Sequence, residues 1–114
     1  MKLFTIACSI ILFTAVTQAN ADCINNPYGK RLCGKGPCEM DQYGKVFCAQ
    51  PGGGAINDND DNVRCGVGNC LKDDLGRVRC SKVQGGDASM DENGRVTCQG
   101  GCENGKMSLC EEAK

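Results

Sequence analysis

Eleven cysteines stand in this chain of 114 residues, and ten of them fall at matched spacings, which restricts the fold more than any other feature. Cys33, Cys38 and Cys48 can be laid over Cys65, Cys70 and Cys80 at a constant offset, and both stretches begin C-G-x-G-x-C. The segments that follow, Cys38 to Cys48 and Cys70 to Cys80, share an Asp, a Gly, a basic residue and a Val at equal positions. A third, shortened copy runs through Cys98, Cys102 and Cys110. Self-similarity at a fixed period indicates a repeat architecture in which neighbouring units bury one another. Three units are expected: residues 22–54, 55–86 and 87–114, with the glycines at 52–54 and 85–86 as flexible boundaries.

The first 21 residues read as a signal peptide, so they are set apart before the fold is considered. Lys2 supplies a basic start, Leu3 to Val16 an apolar run, and Ala19-Asn20-Ala21 an A-x-A cleavage signal. The apolar run is shorter than the roughly 20 residues that a spanning helix needs. The mature chain is expected to start at Asp22 and to be secreted, soluble and free of membrane insertion. Cys8 leaves with the signal peptide, and the remaining ten cysteines (Cys23, Cys33, Cys38, Cys48, Cys65, Cys70, Cys80, Cys98, Cys102 and Cys110) form an even set. In an exported chain an even set favours five disulfides.

Crosslinks are needed because the apolar content is thin. Tyr28, Tyr43 and Phe47 are the aromatics of the mature chain. Ordering costs about 1 to 2 kcal/mol per residue, and so few large apolar side chains do not offset it. Each disulfide closing a short loop adds on the order of 2 to 3 kcal/mol by constraining the unfolded chain. Reduction should unfold the protein.

The windows Cys23 to Cys33, Cys38 to Cys48, Ala55 to Cys65, Cys70 to Cys80 and Ala88 to Cys98 have the chemistry of β-hairpins. Pairing their ends leaves three-residue loops closed by glycine: Pro27-Tyr28-Gly29, Gln42-Tyr43-Gly44, Asp74-Leu75-Gly76 and Glu92-Asn93-Gly94. A type I turn followed by one left-handed residue is a common hairpin loop of this length. In the window 55–65 Asp61 takes the left-handed position, which Asp tolerates. The window ends then face each other at non-hydrogen-bonded pairs, where Cα atoms approach closely enough for a disulfide. The expected bonds are Cys23–Cys33, Cys38–Cys48 and Cys70–Cys80. Alanine replaces the first cysteine at Ala55 and Ala88, so Cys65 and Cys98 are expected to join each other, leaving Cys102 to join Cys110, although that window is two residues shorter and an Asn104-Gly105 two-residue turn would put these two cysteines out of register. Val46, Val63, Val78 and Val96 each sit two residues before a cysteine and should share its face. The fold class is small, disulfide-rich and all-β: a row of about six short hairpins with little core and no helix after the signal peptide.

A basic residue follows the turn glycine at Lys30, Lys45, Arg77, Arg95 and Lys106. Two readings compete. As partner-binding residues, these cations on rigid stapled loops could enter the acidic pocket of a trypsin-like protease. As structural residues, they pair across the turn with Asn26, Asp41, Asp73 or Asp91, for a few tenths of a kcal/mol each.

The acidic stretch 57–62 invites a calcium reading but fails the EF-hand pattern, because Val63 stands where glycine is needed and no Glu closes the loop. The stretch 89–94 fails in the same way, with Gly100 at the closing position. No metal and no cofactor is expected: the chain has no histidine, no C-x-C and no C-x-x-C pair. The usual nucleophile with a histidine base is therefore absent, and the protein is expected not to be an enzyme. With Lys2 removed from 13 basic residues and 14 acidic ones remaining, the mature net charge is about −2. That balance argues against nucleic acid as a partner. The expected function is a secreted binder of an extracellular protein, most specifically a proteinase inhibitor or an effector of the venom, salivary or seminal type. A structural or extracellular-matrix repeat protein is the alternative.

Overall fold

The computed structural model describes residues 22–114, and the expected signal peptide lies outside the described residues. Five antiparallel hairpins follow one another along the chain. They are β1 (Asp22–Asn25) with β2 (Arg31–Gly34), β3 (Cys38–Met40) with β4 (Val46–Cys48), and β5 (Gly54–Asn57) with β6 (Val63–Gly66). Next come β7 (Cys70–Lys72) with β8 (Val78–Ser81), and β9 (Ala88–Met90) with β10 (Val96–Cys98). Two more strands, β11 (Cys102–Asn104) and β12 (Glu111–Glu112), flank a single 3₁₀ turn at Met107–Leu109. Among the described residues no helix is long and apolar enough to cross a membrane.

The hairpin registers place Cys23 opposite Cys33, Cys38 opposite Cys48 and Cys70 opposite Cys80, and all three pairs are bonded at Cα separations of 3.9 to 4.0 Å. In the third and fifth hairpins Ala55 faces Cys65 and Ala88 faces Cys98. Alanine thus occupies the rung position and leaves the facing sulfur available to another segment.

The hairpins stack, and the residue after each second-strand cysteine sets how closely. A Cβ on Gly34 would run into the Cys48 side chain of the second hairpin, and one on Gly66 would run into Cys80 of the fourth. Ala49 takes the same position after Cys48 and is buried with Ala55, Val63 and Cys65 of the third hairpin. Ser81 takes it after Cys80, fully buried, with its hydroxyl donating to the Gln99 carbonyl. Only small residues fit between cystine rungs at such spacing. In the last hairpin the position is held by the exposed Gln99, with no further hairpin to meet it.

Each interior layer therefore combines sulfur with one valine. Val46, Val63 and Val78 are 1%, 2% and 5% exposed and pack with Cys48, Cys65 and Cys80 respectively, while Val96 at the end of the row is only half-buried. The preceding hairpin contributes to each layer: Ile24 and Leu32 to the first, Phe47 to the second and Ile56 to the third. At the two expected unit boundaries the glycines differ in environment: Gly52 is half-buried and Gly85 exposed. Gly53, Gly54 and Gly86 are buried, and the two glycine-rich loops touch through a Gly85 N–H donating to the Gly52 carbonyl at 2.9 Å.

The C-terminal segment departs from the sequence expectation. Residues 102–110 do not form a sixth hairpin. β11 adds to the free edge of β8, with Cys102 opposite Ser81 and Asn104 opposite Arg79. The chain then runs back along the row: the Gly105 N–H donates to Val78 O, Lys106 exchanges two hydrogen bonds with Cys65, Glu111 pairs with Cys48, the Ala113 N–H donates to Val46 O, and Lys114 exchanges two bonds with Cys33. One strap thus binds the second strand of four successive hairpins.

Two expected disulfides are replaced accordingly. Cys65 is bonded to Cys110, not Cys98, and Cys98 is bonded to Cys102, so Cys102 and Cys110 are not paired. Cys65 and Cys98 lie two layers apart with the fourth hairpin between them, which puts a direct bond out of reach. The five disulfides of the described residues suit a protein of an oxidising compartment.

Candidate functional site

Five turns built in the same way form the most regular surface of the molecule. In each, the residue that opens the turn is Asn or Asp, and its side-chain oxygen caps the loop. Asn26 Oδ1 accepts from the N–H groups of Tyr28 and Lys30 at 3.0 and 2.9 Å. Asp41 does the same for Tyr43 and Lys45, Asp58 for Asp60 and Asn62, Asp73 for Leu75 and Arg77, and Asp91 for Asn93 and Arg95. Short polar side chains favour this local bond, which satisfies loop N–H groups that no strand can reach. The last of the three loop residues is left-handed in every case, with φ of 79° at Gly29, 81° at Gly44, 63° at Asp61, 83° at Gly76 and 77° at Gly94.

Consecutive turns touch. The Pro27 ring lies against Gly44, where an added Cβ would be 3.1 Å away. The Gln42 N–H and side-chain amide donate to the carbonyls of Asp61 and Asp60, both at 3.1 Å. Asn59 packs against Gly76, and the Asp74 N–H donates to the Gly94 carbonyl at 3.0 Å. The turns thereby form a continuous ridge along one edge of the stack.

At the same position in successive turns the ridge carries Tyr28, Tyr43, Asp60, Leu75 and Asn93. Tyr28, Tyr43 and Leu75 are 85%, 72% and 71% exposed, the three most exposed large apolar side chains among the described residues. These positions were not legible as a set from sequence, because the tips vary while the flanking Asp and Gly repeat.

Of the five basic residues singled out, the structure brings Lys30, Lys45, Arg77 and Arg95 to this ridge, one per turn, all exposed. Lys106 is not a turn residue; it lies in the strap, bridged to Cys65. The expected cross-turn ion pair forms at one of them, with Arg77 Nε 2.8 Å from Asp73 Oδ2. The other ion pair among the described residues joins Arg64 Nε to Asp58 Oδ2 at 2.9 Å. The backbone of the four turn cations is fully engaged: each N–H donates to the capping side chain, and each carbonyl accepts from the capping residue's N–H at 2.8 to 2.9 Å.

The capping carboxylates shape the local electrostatics. Desolvation opposes ionisation of Asp73, but N–H donors of Arg77 and Leu75 and the Arg77 guanidinium outweigh it and hold the carboxyl below its ordinary value. Asp58 is likewise lowered: desolvation is overcome by the N–H groups of Asn62 and Asp60 and by Arg64. Its two oxygens are thus committed to the turn and to Arg64, which accounts for the acidic stretch 57–62 as a capped loop. Glu39, on the body of the second hairpin, is raised by desolvation and by the nearby Asp22 charge.

No protein-family model, no curated protein and no solved structure matches the chain.

Proposed function

We propose that this chain is a secreted, non-enzymatic binding protein that presents the turn ridge to an extracellular protein. The observation that carries the reading is that Tyr28, Tyr43 and Leu75 occupy the same position of the first, second and fourth turns of a ridge whose neighbouring turns touch. Tyrosine offers a large amphipathic contact at little conformational-entropy cost, and anchors held on a rigid frame lose least on binding. The flanking Lys30, Lys45 and Arg95 supply charge that steers an approaching partner. Disulfides and capped turns keep the surface fixed in the extracellular medium.

A trypsin-like protease is the specific partner suggested by the repeated cation. The main chain restricts how it would be engaged, since the carbonyls of Lys30, Lys45, Arg77 and Arg95 already accept hydrogen bonds inside their turns. Inhibition would proceed through side-chain contact with the ridge, without presenting a substrate-like bond.

The test is retention of extracellular proteins from the source fluid on immobilised protein, compared with a Tyr28→Ser, Tyr43→Ser, Leu75→Ser variant. A stoichiometric partner held by the native protein and lost from the variant supports the reading. Equal retention by both, or concentration-dependent self-association of the native protein that the variant abolishes, contradicts it; the second result favours a matrix role.

A further inference from the structure

Stacking follows one pattern at every junction inside the row and departs from it on both outer faces. Each hairpin meets its two neighbours with different faces, because alternate residues of a strand point to opposite sides. One face carries the rung and the residue two places before the second cysteine, which is Val46, Val63, Val78 or Val96 in the hairpins that have one before them. The other carries the small residue after that cysteine and one cross-strand pair. This pair supplies Ile24 and Leu32 to the second hairpin, Phe47 to the third and Ile56 to the fourth.

Among the described residues no hairpin covers the rung face of the first hairpin or the pair face of the fifth. On the first, arginine stands where the others have valine: Arg31 lies two residues before Cys33 and opposite Asn25, and both are exposed. On the fifth, the pair is Ser89 with Thr97, both exposed, their hydroxyl oxygens 3.1 Å apart. Gln99 takes the place that Gly34, Ala49, Gly66 and Ser81 hold at the junctions, and its Oε1 accepts from the Asp87 N–H at 3.3 Å across the base of the hairpin. A Cβ alone at Gly34 or Gly66 would collide with the next cystine, so a whole glutamine leaves no room for another rung at the same spacing. The valine and the small residue are thus kept at all the junctions and lost on the two uncovered faces.

We propose that Arg31 at one end, and Gln99 with the Ser89–Thr97 pair at the other, are stops that keep the row from being continued by a second copy of this chain. The two outer faces correspond in position to the two sides of a junction, so the fifth hairpin of one copy could otherwise stack on the first hairpin of the next. Such a contact is head-to-tail and does not close, and a stacked array grows from its ends unless the terminal repeats present polar outer faces. Stacking as the chain stands would bury a guanidinium and two hydroxyls against sulfur and valine-type positions without new partners, which costs more than so small a contact returns. The result is a discrete row with one ridge of five turns rather than a fibre of rows.

The test opens the ends one at a time and follows mass by sedimentation velocity over a concentration series of the oxidised protein. Arg31→Val opens the first hairpin; Ser89→Ile, Thr97→Leu, Gln99→Gly together open the fifth. The native protein and each singly opened variant should sediment as monomers, a mixture of the two variants should give a species of twice the monomer mass and nothing longer, and the variant opened at both ends should give a series that lengthens with concentration. Protected turn amides at Lys45 and Arg77 show that the hairpins are intact, since all the altered side chains are exposed. A mixture and a doubly opened variant that stay monomeric with those amides protected would overturn the proposal. So would native protein that lengthens with concentration and is returned to monomer by Thr97→Lys. Native self-association that Thr97→Lys leaves unchanged and that the loss of Tyr28, Tyr43 and Leu75 abolishes would contradict the binding role of the ridge, and the mixing result would still decide the stops.

Discussion

Cys65 is bonded to Cys110, 45 residues later in the chain, and the hydrogen-bond pair between Cys65 and Lys106 lies just before that crosslink. The strap is thereby tied at its middle to the third hairpin, while its two ends rest on the fourth and on the first two. A Cys65→Ser, Cys110→Ser double variant should keep the hairpins and free the strap. Closing a 45-residue loop is worth roughly 4 kcal/mol at most in the chain-entropy model, and less here because two other crosslinks already shorten that loop. Hydrogen exchange should show lost protection at Lys106, Ala113 and Lys114, with the capped turn amides of Lys45 and Arg77 unchanged.

Stacking distance is set by the residue after each second-strand cysteine. Gly66→Ala forces a methyl group onto Cys80 and should cost about 1 to 3 kcal/mol. Gln99→Ala changes the same position of the last hairpin and should be nearly neutral. Gly29→Ala meets no neighbour but sits at φ +79°, so about 1 to 2 kcal/mol is expected from backbone conformation alone. Denaturant midpoints of the three variants separate the two causes, and a neutral Gly66→Ala would rule out close stacking.

Acid should loosen the ridge. Asp58 and Asp73 have folded-state values below the ordinary 3.8, so their contribution is present above 3.8 and is lost as pH falls through the lower folded values. Glu39 acts in the opposite sense: its folded value is raised above 4.5, so its contribution is present below 4.5 and lost as pH rises through the raised value. Stability followed from pH 6 downward should therefore rise slightly and then fall. Asp73→Asn keeps the capping oxygen, as Asn26 does in the first turn, and should flatten the acid limb measured by denaturant unfolding at a series of pH values.

The turn cations should resist trypsin in the oxidised protein. Their carbonyls are bonded within the turns, so cleavage requires local opening and follows its population. Incubation with trypsin should leave the chain intact at Lys30, Lys45, Arg77 and Arg95, whereas the reduced chain is cut at all four. Rapid cleavage at one of them without reduction would contradict the turn geometry.

The hairpins were legible because each is encoded locally: a pair of rung positions, a left-handed Gly or Asp, and a short polar residue opening the turn. Three hairpin crosslinks follow from that register. The strap was not legible, since Asn104 and Gly105 look like a hairpin turn in isolation and their partners, Arg79 and Val78, are distant in sequence. Ala55 and Ala88 correctly signalled sulfurs without hairpin partners, but only the stacking order shows that Cys65 and Cys98 are kept apart. Four of the five repeated cations lie on the ridge. Tyr28, Tyr43 and Leu75 form one surface only because the turns touch, a contact between hairpins that no single hairpin's sequence encodes.

The most direct measurement is the disulfide map of the oxidised protein, obtained by digestion without reduction and mass analysis of the linked peptides. The strapped stack predicts Cys65 joined to Cys110 and Cys98 to Cys102, beside the three hairpin bonds Cys23–Cys33, Cys38–Cys48 and Cys70–Cys80. Recovery of Cys65 joined to Cys98 and Cys102 joined to Cys110 would contradict the strap and everything built on it.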